Sequence, residues 1–229
     1  MLLMLLLMIS SCTRFGLTQD QINQLPDLSS FGTIPSENFL VDLDQVTKTT
    51  PFFGSNSASY HDGAHVHFQN NGEIVDGSDP SSYPAIYAVA SGIITHIDTY
   101  RNVNENYKYD ITLTFAKDGN EAVEFQYSIE PMINPEDPEA YKPFILVNEG
   151  QTVSAGEIIA TMLVKNGTGD GPHIHFNLYN GNFGKQAPAI FSSEIISEFT
   201  SKLREPGNCI GVDLTAEENP LGTGAVSCL

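Results

Sequence analysis

The residues best suited to chemistry are the histidines. All but His96 fall in two short stretches, His61-Asp62-Gly63-Ala64-His65-Val66-His67-Phe68 and Gly171-Pro172-His173-Ile174-His175-Phe176. His173 and His175 stand two residues apart, so on a strand both point to one face while Ile174 and Phe176 point to the other, toward a core. Two imidazoles side by side can both face a metal ion, or one can bind metal while the other handles protons. Taken alone, the pattern equally describes two surface histidines on a half-buried strand.

The elements that must position these residues are short strands. Ala85 to Ala90 and Ile93 to Ile97 read as strands around the turn Ser91-Gly92. Tyr109 to Phe115 alternates Ile111, Leu113 and Phe115 against threonines, and Val123 to Ile129 returns after a turn at Lys117-Asp118-Gly119-Asn120. Asn70 to Ser82 and Pro131 to Pro143 are loops, the second with room for one helical turn. Ile145 to Met162 holds two apolar runs split at Gly150 and Gly156. Many short strands with glycine turns predict an all-β domain. An early strand is expected near Phe39 to Leu43. Phe191, Ile195, Phe199 and Leu203 recur every four residues, which predicts an amphipathic helix over Ala189 to Leu203, packed on the outside of the sheet.

Taken together, His61-Asp62-Gly63-Ala64-His65, the strand pair Ile86 to Ile94, VNEGQTVSAGEII (Val147 to Ile159) and GPHIHF resemble, in order and spacing, the lysostaphin-like (LytM-type) zinc metallopeptidases over roughly Pro51 to Gly181. The resemblance implies an all-β, duplicated hybrid-motif domain whose antiparallel sheets form a groove, with the C-terminal amphipathic helix added. It implies one zinc ion per chain, with His61, His65 and His175 as ligands and His173 as the catalytic base. It also implies cleavage of peptidoglycan peptides.

The chain departs from that pattern at two positions. His65 stands where the family carries an aspartate ligand. A three-histidine site still leaves a fourth position for water, as catalytic zinc requires. Asp62 is adjacent to His61 and on a strand points the other way. The family also carries a histidine in a Y-x-H-[apolar] strand, and the matching stretch here, Phe125 to Glu130, has none. Tyr127, His67 and His96 are the substitutes to consider, and His67 shares a face with His65 if that piece is extended. A catalytically degenerate module that binds cell wall or regulates wall hydrolases is therefore the alternative to an active endopeptidase.

The 229 residues carry 28 acidic against 10 basic side chains, a net charge of −18, which argues against nucleic acid as a partner. The 41% hydrophobic content predicts a folded chain. The N-terminus, MLLMLLLMISSC, is too short in its apolar run to span a bilayer, which takes about 20 residues. It suits a secretory signal (residues 1–11) running into a lipobox-like Ile9-Ser10-Ser11-Cys12. The resemblance to a lipobox implies lipid on Cys12, anchorage to a membrane through it, and an exported bacterial lipoprotein of the cell envelope. No Lys or Arg precedes the apolar run. Of three cysteines, Cys209 and Cys228 then remain to pair in an oxidising envelope. The organisation expected is signal, a tether with its early strand over 12–50, the peptidase-like domain over 51–183, and helix plus disulfide-pinned tail over 184–229. A further likeness of the Val147 to Met162 run to half-barrels of biotinyl, lipoyl and phosphocarrier proteins lacks their hairpin lysine, Lys165 lying after the run.

Overall fold

The computed structural model describes residues 16–50, 52, 63–68, 79–103, 106–132, 138–164, 171–181, 184–186, 188 and 190–202. Cys12, His61, Asp62, Lys165, Cys209 and Cys228 lie outside the described residues, and with them the lipidation, the disulfide and one proposed zinc ligand.

In chain order the strands are β1 (Val46–Thr50), β2 (Ala64–Phe68), β3 (Ala85–Tyr87), β4 (Gly92–Val103), β5 (Asn106–Asp118), β6 (Glu121–Glu130), β7 (Thr152–Val153), β8 (Ile158–Thr161), β9 (His173–Asn180) and β10 (Gly184–Gln186). The helices are α1 (Gln19–Gln24), α2 (Ser30–Thr33) and α3 (Ser193–Ser201). The fold is all-β, as the sequence predicts. The large sheet runs β1-β2-β9-β6-β5-β4-β7, with β10 also on β9, and β3 pairs with β8 in a small second sheet. Among the described residues every strand pairing is antiparallel, while the isolated bridges Asp27–Lys117 and Ser36–Phe191 are parallel.

Period-two alternation divides the large sheet into two unlike faces. On one, Val66, Ile174, Phe176, Leu178, Phe125, Tyr127, Ile129, Ile111 and Leu113 are buried. Each such side chain contributes about 1.5–3 kcal/mol by leaving water. Phe176 lies at the centre of this face, its ring 5.8 Å from Phe39, 5.8 Å from Phe125 and 6.1 Å from Phe199 of α3. The small sheet is tied in by Tyr141, whose ring stacks 4.5 Å from Tyr109 and whose hydroxyl donates to the Thr161 carbonyl.

The β5–β6 hairpin closes through Gly119 and Asn120, with Asp118 opposite Glu121. Gly119 takes φ 61°, the left-handed region that favours glycine. The Pro131 to Pro143 stretch contains the predicted helical turn as a 3-10 segment, Pro138–Phe144.

Two elements fall elsewhere than the sequence suggests. The early strand is β1, not Phe39 to Leu43. Leu40 and Val41 are buried in an irregular segment whose Leu40 carbonyl accepts from Tyr87 N (2.9 Å), and Leu43–Gln45 is a 3-10 turn. A short apolar run signals burial, and here it is buried without entering the ladder. Much of residues 18–46 is thus packed rather than extended away, with Leu28, Phe39 and Val46 in the core. Helix α3 begins at Ser193, four residues after Ala189. Ser192 caps it, accepting from Ile195 N, while Ser36 holds Ile190 and Ser192 extended through Ser36 N to Ile190 O (2.8 Å) and Ser192 N to Ser36 O (2.9 Å). Phe191 and Phe199 are buried as the periodicity requires, and Ile195 packs partly buried against the core.

Candidate functional site

The other face of the large sheet carries the histidines. The β2–β9 register sets His65 directly opposite His175 and His67 directly opposite His173. Four imidazoles therefore form a two-by-two patch, with ring centroids 4.8 Å apart for His65–His175, 4.9 Å for His67–His173, 5.5 Å for His65–His173 and 5.8 Å for His65–His67. The sequence places these strands more than a hundred residues apart, and antiparallel pairing with matched alternation brings the two His-x-His pieces together.

The next strand, β6, adds Ser128 opposite His175 and Glu130 opposite His173. Glu130 Oε2 lies 3.5 Å from His173 Nε2, and His173 Nδ1 lies 3.2 Å from the Gly171 carbonyl oxygen. A carbonyl oxygen only accepts, so Nδ1 carries a hydrogen, and Nε2 forms an ion pair with the Glu130 carboxylate only when it too is protonated. His173 is thus oriented from one side and faces a carboxylate on the other. A proton arriving at Nε2 would lie between imidazole and carboxylate, an arrangement suited to general base work.

His65 and His175 are both buried, at 5% and 9% exposure. Gly63 explains how His175 fits. A Cβ added at residue 63 would lie 1.9 Å from His175 Nε2, so only glycine leaves space at that nitrogen. Imidazole nitrogen is a good zinc donor. Two of the three residues expected to ligate zinc are therefore neighbours across one rung of the ladder, with room at one donor atom. Among the described residues no three His, Cys, Asp or Glu side chains are set to hold a metal ion, and the third expected donor, His61, lies outside them.

The substitutes considered for the absent β6 histidine separate clearly. Tyr127 is turned to the core face, fully buried, where its hydroxyl accepts from Val89 N (3.0 Å) and donates to the Tyr87 carbonyl (3.2 Å). Burial pushes its phenol well above the ordinary value, and its bonds to Val89 and Tyr87 hold the hydroxyl away from the histidine face. His96 lies on β4, opposite Thr112, and its Nδ1 meets Glu149 Oε1 at 3.1 Å, away from the patch. His67 is in the patch. The sequence reading also missed Glu130. Its signal was present, since Glu130 follows Ser128 in the period of β6, but which histidine it would meet depends on register.

No protein-family model matches the chain, and no curated protein matches it in sequence. Among solved structures it is similar to a variant catalytic domain of the prophage-encoded M23 protein EnpA from Enterococcus faecalis, at 14% identity and TM-score 0.38, covering 61% of this chain and 86% of that one. It is also similar to lysostaphin, at 15% identity and TM-score 0.40 over 77% of this chain and 59% of that one. A third likeness is to LytU, at 20% identity and TM-score 0.36, covering 67% of this chain and 85% of that one. At TM-scores below 0.5 these likenesses leave the function to be argued from the histidine face itself.

Proposed function

We propose that this chain is a zinc-dependent endopeptidase that cleaves peptide amide bonds of peptidoglycan, carried on an exported lipoprotein of the bacterial cell envelope. The observation that supports it most is the two-by-two imidazole patch with Glu130 beside His173. In this reading His61, His65 and His175 hold one zinc ion, and Gly63 keeps the space at His175 Nε2. When bound, zinc supplies Lewis acidity toward the scissile carbonyl and the attacking water. His173 takes the proton of that water at Nε2, with Glu130 stabilising the imidazolium, and returns it to the leaving amine. The leader-like N-terminus, Cys12 as lipid anchor and a Cys209–Cys228 disulfide are consistent with a wall substrate.

One observation favours a second reading, a degenerate module that binds wall or regulates wall hydrolases. On β6 the histidine face offers only Ser128 and Glu130 beside the patch, and Tyr127 is turned into the core. Incubation of the zinc-loaded protein with digested peptidoglycan separates the two. New amine termini that disappear in His173→Ala support the peptidase, whereas binding without cleavage supports the module.

A further inference from the structure

We propose that Tyr179 and Glu124 form a subsite for an ammonium group of the substrate, at the end of the histidine face remote from His173. The proposal rests on the reading of this face as one that binds peptidoglycan peptides, and deepens it. Tyr179 follows His173 and His175 in the period of β9, so it shares their face, farther along the strand than His175. It is 39% exposed. Ile34, Leu146 and Ile158, the other exposed large hydrophobic side chains among the described residues, all lie off the large sheet. The register sets Glu124 of β6 directly opposite Tyr179.

The two ends of the face are joined along β6. Glu130, Ser128, Gln126 and Glu124 are all partly exposed, while Ile129, Tyr127 and Phe125 between them are buried on the core side. They form an accessible strip from the His173 rung to the Tyr179 rung. From Ser128, beside His175, to Glu124 the strip runs about 13 Å at the rise of a strand. An extended peptide with its scissile amide at the histidines therefore sets a residue about four positions away over Tyr179 and Glu124. The face of an aromatic ring attracts a cation, and a carboxylate beside it completes the charge pair. Thr114 Oγ1 donates to Glu124 Oε1 (3.4 Å) and so holds the carboxylate from β5. Lys185 of β10 stands opposite Tyr179 on its other flank, which favours a bound cation on the β6 side. Ring and carboxylate together select an ammonium group over a neutral or anionic one.

The test uses the full zinc-loaded chain and soluble peptides from digested peptidoglycan, before and after acetylation of their amines. KM and kcat are measured for wild type, Tyr179→Ala, Tyr179→Phe and Glu124→Gln. On free-amine peptides Tyr179→Ala and Glu124→Gln should raise KM about three- to tenfold and leave kcat within about twofold, since the subsite lies away from the reacting bond. Tyr179→Phe keeps the ring and should stay near wild type. Acetylated peptides should show a raised KM with the wild type, and neither substitution should raise it further. A wild-type KM in both Tyr179→Ala and Glu124→Gln overturns the proposal and leaves the peptidase reading intact. Losses as large on acetylated as on free-amine peptides also overturn it, because the contact is then not with a cation. Absence of cleavage by the wild type overturns the peptidase reading instead, and Kd of the same peptides then replaces KM, with the same comparisons deciding the subsite.

Discussion

The two faces of β9 are built from alternate residues of one strand and differ in almost every physical respect. Ile174, Phe176 and Leu178 meet aromatic and aliphatic partners on β6, β2 and α3, and are almost wholly buried. His173 and His175 face crowded imidazoles and a carboxylate, and Asn177 Oδ1 is buried with no hydrogen-bond partner among the described residues. The first face supplies the free energy that holds the backbone in register. The second opposes it, since imidazole rings are held close together and a buried polar atom has no partner among the described residues. The rigidity of one face fixes the geometry of the other, because a one-residue slip would exchange them.

The contrast can be broken at either face, and the outcomes should differ in kind. On the histidine face His173→Ala should lower kcat on peptidoglycan peptides by about 10²–10⁴, the ordinary range for a lost general base, while the denaturation midpoint stays near wild type. On the core face Phe176→Ala should cost about 3–5 kcal/mol of stability in denaturant titrations, because the cavity opens among Phe39, Phe125 and Phe199. Tyr127→Phe sharpens the contrast with a smaller change. It should cost about 1–3 kcal/mol through the stranded Val89 N–H, and leave kcat within twofold if that residue has no part in proton transfer.

Gly63→Ala crosses the divide, being a small change on the backbone side that acts on the chemical side. The new methyl group would meet His175 Nε2 and force the ring aside. Stability should fall by about 1–3 kcal/mol, because a buried ring is displaced, and the zinc retained after dialysis, read by elemental analysis, should fall clearly below wild type. Retention of wild-type zinc in that variant would remove the role assigned to Gly63.

Much of this was legible in the sequence. The alternation of His173-Ile174-His175-Phe176 gave the strand and its two faces, Gly119 marked the hairpin, and Phe191, Ile195 and Phe199 marked the buried side of the C-terminal segment. What alternation does not contain is partner choice. That His67 faces His173, and that Glu130 approaches the same ring from β6, are consequences of register between strands far apart in the chain. The absent β6 histidine was readable as an absence. That Tyr127 is no replacement depended on knowing which way β6 faces. The segment Phe39 to Val41 shows the converse limit, since its apolar character announced burial but not the irregular backbone that delivers it.

The central claim is that His61, His65 and His175 form one zinc site while His67 and His173, in the neighbouring rung, do not ligate the ion. Elemental analysis of purified protein tests it most directly, on wild type and on single alanine variants at all five histidines. The account predicts close to one zinc per chain in wild type, lost in His61→Ala, His65→Ala and His175→Ala and kept in His67→Ala and His173→Ala. A wild type that holds no zinc after reloading, or a loss in His67→Ala as great as in His65→Ala, would contradict it.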